Sequence, residues 1–368
     1  MESTIRLELF NFNKYFNMHQ LAQIFKLDYN KQNASLGLIV LELILAAFVV
    51  LYTKHDTIYI FSVIFGTLFV GLSDPGGAFR SRSGPLAVAG IGGAILTVLG
   101  YNLASSGWGW ITIVVFVVTL LSGLTLKFGA HWFATSLLLN AWFIIALGIG
   151  SSFDQSHIST HAWEQTLAWL CGGSLWVLVA VFLWVVHGQT AKPLFAEIPS
   201  DSKERKLTKP MIAFAVIRAI AMAIAVAIPF GLNLSHGYWI PIATMLSMKA
   251  NLTQATIFSF QRITGTIIGT ALAAALLWGV NSKLELITAA LILLANGGAI
   301  RFVNYAWYTA ATAAGALFAI DLFTPTSHTA EWQRVGYTFI GLGIGVLVMF
   351  IAITLGKRKA KSSPQPAT

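Results

Sequence analysis

Four ionisable residues stand inside or at the mouth of long apolar runs. Glu42 lies in LGLIVLELILAAF, Arg82 opens RSGPLAVAGIGGA, Arg218 lies in MIAFAVIRAIAMAIA, and Arg262 opens RITGTIIGTALAA. A charge in an apolar segment is costly, so it is kept where it meets a partner, a wet cavity or a ligand. The chemistry open to this set is electrostatic. A guanidinium presents a planar fork of donors that fits a carboxylate or phosphate. At a helix start, as at Arg262, unsatisfied backbone N–H groups add to an anion site; the same position also lets the side chain reach lipid phosphate. Glu42 and Arg218 each sit well inside the first apolar run of their half, so they could neutralise one another, and Glu42 could alternatively carry a proton. Tyr238, Trp239, Trp307 and Tyr308 flank small or polar residues, where they could stack on a flat ligand or anchor the membrane interface. Gly265 and Gly269, four apart beside Thr266 and Thr270, suit close helix packing that would bring Arg262 toward a shared site with Arg82.

Bond-making chemistry has no such residues. There is no P-loop, HExxH or G-x-S-x-G string, and the histidines lack metal-ligand spacing. The reading is a protein that is not an enzyme and needs no cofactor. Cys171, the single cysteine, cannot form an intrachain disulfide and reads as a buried, inert thiol.

The elements that must position these residues are membrane helices. Of 368 residues, 56% are hydrophobic and 10% charged, against roughly 25% charged in a soluble domain. Mean hydropathy is +0.73. About twelve spans are predicted: 36–53, 57–73, 84–103, 108–126, 130–150 and 162–187, then 211–230, 236–250, 262–280, 283–300, 302–320 and 334–355. Several are short for a full crossing, 236–250 above all. The formal charge of +9 sits in loops and tails, as the positive-inside pattern requires, and excludes a nucleic-acid partner. With the amino terminus inside, only Lys54, Lys283 and Arg334 fall outside, so both termini are expected in the cytoplasm. Residues 1–35 read as an amphipathic or flexible leader without a cleavable signal, 188–210 as a cytoplasmic linker, and 356–368 as a basic disordered tail.

The halves 36–187 and 211–355 echo each other. Arg82 and Arg262 are 180 positions apart, each opening a glycine-rich run, and WEQTLAWLCGG parallels WQRVGYTFIGLG. The fold expected is all-α and polytopic, with two parallel six-helix repeats about an axis along the membrane normal.

The stretch from Tyr238 and Trp239 through an apolar run to Arg262, Gly265, Thr266 and Gly269 resembles the fusaric acid resistance and aromatic acid exporter family of integral membrane proteins. EWQRVGYTFIGLGIG, with Arg334 and Gly341, is similar to that family's second block. The resemblance implies export of small, often aromatic, carboxylates across a bacterial inner membrane, with protons, lipids, a second copy or a periplasmic adaptor as partners. Three departures go with it. The family's large cytoplasmic domain is missing between the halves, LSMKAN lacks a common basic-proline pair, and Gly336 and Tyr337 stand where an acidic residue is common. A passive organic-anion channel and a non-transporting membrane scaffold or assembly protein are the alternatives.

Overall fold

The computed structural model describes residues 57–75, 79–152, 161–186, 206–248, 252–277, 283–300, 304–323 and 329–362, with scattered positions between 41 and 52. Among them every regular element is a helix: α1 (Ile60–Leu72), α2 (Phe79–Leu103), α3 (Trp108–Leu124), α4 (Ala130–Ser152), α5 (Ala162–Val186), α6 (Lys209–Gly231), α7 (Trp239–Ser247), α8 (Leu252–Leu277), α9 (Lys283–Ile300), α10 (Tyr305–Phe323) and α11 (Thr329–Ser362), with 3-10 turns at Thr57–Tyr59 and Thr125–Phe128.

Local chemistry sets several of these ends. α6 begins after extended Thr208 with Pro210 in its first turn, where no intrahelical N–H is needed. It stops just after Pro229, and the chain turns back through Asn233 and His236, both at positive φ (48° and 55°). Gly129, at φ 103°, makes the sharp turn into α4.

The described residues form two compact units. The larger holds the described parts of 39–259 and 326–368; the smaller begins at Phe260 and holds most of α8 with α9 and α10. In the larger unit α1 packs on α5, α2 on α4 and α5, α3 on α6, and α7 on α6 and α11. Its centre is aromatic. Trp142 and Trp169 stack with centroids 4.7 Å apart. Their indole N–H groups, which burial would otherwise penalise, donate to Thr97 Oγ1 at 2.8 Å and to the Gly90 carbonyl at 3.0 Å. Gly93 leaves the space that the Trp169 ring fills. α3 and α6 lie antiparallel, with Gly123 against Ala215 at one end and Trp108 beside Gly231 at the other.

The predicted architecture of about twelve spanning helices in two six-helix repeats is overturned. Among the described residues five helices are long and apolar enough to cross a membrane: Arg82–Leu103, Trp108–Phe128, His131–Ser151, Ala162–Val186 and Lys209–Gly231. Ile60–Leu72, Glu285–Gly297 and Val335–Ile351 are shorter apolar helices. An apolar run shows that a segment avoids water but not that it reaches across the bilayer. The 13 residues of α1 rise about 20 Å, against a hydrocarbon core of about 30 Å. The predicted span 236–250 contains only the nine-residue α7. α8 has the length, but Thr253, Gln254, Gln261, Arg262, Thr264, Thr266 and Thr270 interrupt its apolar positions. α6, which follows the linker, packs against α3, which precedes it, so the segments on either side of the linker share one compact unit. Glycine- and alanine-rich segments resemble each other in sequence without being related in space.

Cys171 is corrected too. It is exposed, on the α5 face that also carries exposed Trp163, Leu167, Leu170, Leu178 and Phe182. An apolar face turned outward toward lipid reads in sequence like one turned inward.

Candidate arginine and aromatic sites

Three of the four flagged charges are described, and the protein holds them in three different ways. Glu42, Lys249 and Arg334 lie outside the residues whose side chains are described.

Arg82 is neutralised. It sits on the first turns of α2, 3% exposed. Its Nε donates to Asp74 Oδ1 at 2.9 Å and its Nη2 to Asp74 Oδ2 at 2.5 Å. Trp176 Nε1, reaching in from α5, donates to the same Oδ2 at 3.1 Å. Asp74 is fully buried. A fork-to-fork pair of this kind satisfies the guanidinium and ties the α1–α2 turn to α5. The turn signal in DPGG leaves Arg80 and Arg82 as equal partners for Asp74; the geometry shows Arg82 engaged, and Trp176 has no sequence signal at all.

Arg262 is half-buried on α8 in the smaller unit. It meets the amino-terminal end of α10, where its Nη1 donates to Tyr305 Oη at 3.3 Å, while its Nε is buried without a hydrogen-bond partner among the described residues. The Tyr305 ring lies 6.0 Å from that of Tyr308. Asn304 caps α10, its Oδ1 accepting from the N–H groups of Ala306 at 2.9 Å and Trp307 at 3.3 Å. Gly265 and Gly269 explain why the two helices come so close. A Cβ at Gly265 would strike the Ala306 carbonyl oxygen and lie 2.8 Å from Thr309 Cβ; one at Gly269 would strike the Ala310 carbonyl and lie 2.8 Å from Ala313 Cβ. The glycines are packing residues that let α8 lie against α10 and carry Arg262 to the tyrosine pair. Trp307 and Tyr308 are half-buried on the first turn of the same helix.

Arg218 is buried with no hydrogen-bond partner among the described residues. It lies on α6, and all three of its guanidinium nitrogens lack one among those residues. Its guanidinium carbon stands over the Phe133 ring, 5.3 Å from the centroid. Phe133 belongs to the first turn of α4, next to His131, which is also buried with both ring nitrogens unpartnered among the described residues.

Tyr238 and Trp239 belong to the core of the larger unit. Tyr238, 6% exposed, packs its ring against Gly148. Its centroid is 5.2 Å from that of Trp239, beside Phe143, Leu147, Met222 and Met245. The structure thus gathers Arg262, Gly265, Gly269, Trp307 and Tyr308 around the α8–α10 pair and places Tyr238, Trp239 and Arg218 in the other unit. Phe133, the partner of Arg218 from 85 positions away, has no signal in the sequence. Among the described residues no group of three or more histidine, cysteine or carboxylate side chains is placed to hold a metal ion.

No curated protein and no solved structure matches this chain. Residues 213–348, from α6 to most of α11, match the family model described as fusaric acid resistance protein-like. The chain is therefore a multi-helix membrane protein that carries a fusaric acid resistance protein-like domain over those residues.

Proposed function

We propose that this protein is a secondary exporter of small organic carboxylates, chiefly aromatic ones, across a bacterial inner membrane, with both termini and the 188–210 linker in the cytoplasm. The observation that carries the reading is the Arg262 cluster. Inside the family-matched stretch, a half-buried guanidinium with an unused buried donor stands at the end of α10 beside a pair of tyrosine rings. A carboxylate fits the donors and a flat ring fits the tyrosines. No nucleotide-binding loop accompanies this cluster, so the driving force is an ion gradient or the membrane potential.

The test is flux in proteoliposomes, with aromatic and aliphatic carboxylates supplied with and without a pH gradient. Export is supported by carboxylate flux that responds to the gradient. Reversal potentials set by the anion gradient alone would make the protein a channel, and no flux with a partner retained on purification would make it a scaffold. Arg262→Lys keeps the charge and loses the planar fork. It is expected to raise the apparent KM roughly tenfold, the size of one or two charged hydrogen bonds, and Arg262→Gln further. An Arg262→Lys protein with wild-type KM and maximal rate would make Arg262 an interface anchor.

A further inference from the structure

We propose that Arg218 and Phe133 form a second, buried receptor, for the carboxylate of a flat aromatic monoanion, where α3, α4 and α6 meet in the larger unit. The proposal rests on the export reading for its biological use but not for its physical content.

The first argument is cost. Arg218 is the tenth residue of the 23-residue span Lys209–Gly231, so it lies near the middle of the membrane. An isolated cation there costs several kcal/mol, which a protein offsets with an acid, a lipid phosphate or a ligand. Among the described side chains of this unit the acids are Asp74, which is engaged by Arg82 and Trp176, and Glu164, which is exposed at the start of α5. Lipid phosphate is excluded as well, because the side chain is fully buried and does not reach the surface. Arg82 shows how the same fold treats an arginine it uses structurally: a buried acid takes its fork in two hydrogen bonds.

The second argument is shape. The Phe133 ring covers one face of the guanidinium and supplies cation–π attraction. Donors lie in the guanidinium plane, so stacking on the ring does not use them. Phe214, one turn earlier on the same face of α6, lies with its ring 6.2 Å from Phe133 at 59°. A cation over one ring of an aromatic pair suits an anion whose other end is itself an apolar ring.

The third argument is the polar layer beside it. The contact of Gly123 with Ala215 fixes the antiparallel register of α3 and α6, so Arg218, three residues on, is level with about position 120 of α3. Between α3 and α4, Asn140 Nδ2 donates to Thr119 Oγ1 at 3.1 Å, and Asn140 Oδ1 is buried without a partner among the described residues. Ser122 and Ser136 hydrogen-bond at 3.1 Å next to this pair. All three helices therefore bring polar groups to one level of an otherwise apolar contact. A single cation there favours a monoanion.

The experiment uses the full chain in lipid nanodiscs and reads its thermal unfolding midpoint against benzoate, acetate and chloride. Benzoate is expected to raise the midpoint in a saturable way, since a ligand bound only by the folded state stabilises it. Arg218→Met should abolish the benzoate response while folding at least as well as the wild type, because it removes a buried charge that no described residue pairs. Should it fail to fold, Arg218→Lys carries the test, with a half-saturating benzoate concentration raised about tenfold. Phe133→Leu should weaken benzoate and spare acetate. An undiminished benzoate response in Arg218→Met or Arg218→Lys overturns the proposal. So does a chloride response equal to that of benzoate, which marks a site for any small anion. So does a Glu42→Gln loss of stability rescued by Arg218→Met, which marks an ion pair. Arg218-dependent benzoate binding without flux in proteoliposomes supports this site and removes the export reading alone. Flux with Arg218→Met unchanged in binding and transport removes this site alone.

Discussion

Replacing Asp74 by asparagine would leave Arg82 buried and uncompensated. The carboxylate accepts two hydrogen bonds from the Arg82 fork, at 2.9 and 2.5 Å, and one from Trp176 at 3.1 Å. Both charged side chains are sealed, at 4% and 0% exposure, so solvent screening does little to soften the loss. Breaking a buried pair by removing one partner costs about 3–5 kcal/mol, whereas replacing both partners by apolar residues of similar size is often neutral. Asp74→Asn is therefore expected to cost about 3–5 kcal/mol, and Asp74→Leu with Arg82→Met to recover most of it. Trp176→Phe removes one hydrogen bond to a charged group and should cost about 1.5–3 kcal/mol. The measurement is denaturant-titrated unfolding in mixed micelles, followed by tryptophan fluorescence, for the single and double variants. Additive effects of Asp74→Asn and Arg82→Met would refute the reasoning, because groups in direct contact must couple. The double variant should also transport at close to the wild-type rate, since the pair's hydrogen bonds hold the fold and neither residue belongs to the Arg262 or Arg218 cluster.

Gly269→Ala places a methyl against the Ala310 carbonyl and Ala313 Cβ and is expected to cost about 1–3 kcal/mol; Gly336→Ala, where nothing lies within 4 Å, is the neutral control in the same unfolding assay. His236, in the turn between α6 and α7, is held below its ordinary pKa of 6.5 by burial. The unfolded chain takes up its proton first, so stability should decline as pH falls through 6.5 toward the lower folded value, and His236→Gln should flatten that decline.

What the sequence makes legible depends on the range of the interaction. The membrane character is written in composition, and the tight α8–α10 approach is written in Gly265 and Gly269, four apart on one helix. The Asp74–Arg82 contact is almost written, since the turn puts two arginines within reach of one acid. Helix number and pairing are not. They depend on which apolar face meets another helix and which meets lipid, and both faces carry the same residues, as Cys171 shows. Arg218 is visible as an anomaly in the sequence because an arginine breaks an alanine-rich run. Its surroundings are not visible: Phe133 and Asn140 come from a different helix, and nothing local distinguishes them from ordinary core residues.

The three arginines can then be ordered by what their surroundings leave undone. For Arg82 the protein supplies an acid that takes its Nε and Nη2, and an indole that holds the acid. For Arg262 it supplies one tyrosine hydroxyl and leaves Nε buried and unused. For Arg218 it supplies a ring face and no acceptor among the described residues. A fold under selection for stability alone would favour methionine over an unpaired buried guanidinium, because the apolar side chain fills similar space without the desolvation penalty. The same substitution should therefore act with opposite sign at two positions of one unit. Arg82→Met strands Asp74 and destabilises, whereas Arg218→Met relieves an unpaired charge and stabilises or leaves the fold unchanged. A stability cost at Arg218 equal to that at Arg82 would mean that both arginines are structural. A gain at Arg218 accompanied by loss of benzoate binding is the result that only a ligand receptor explains.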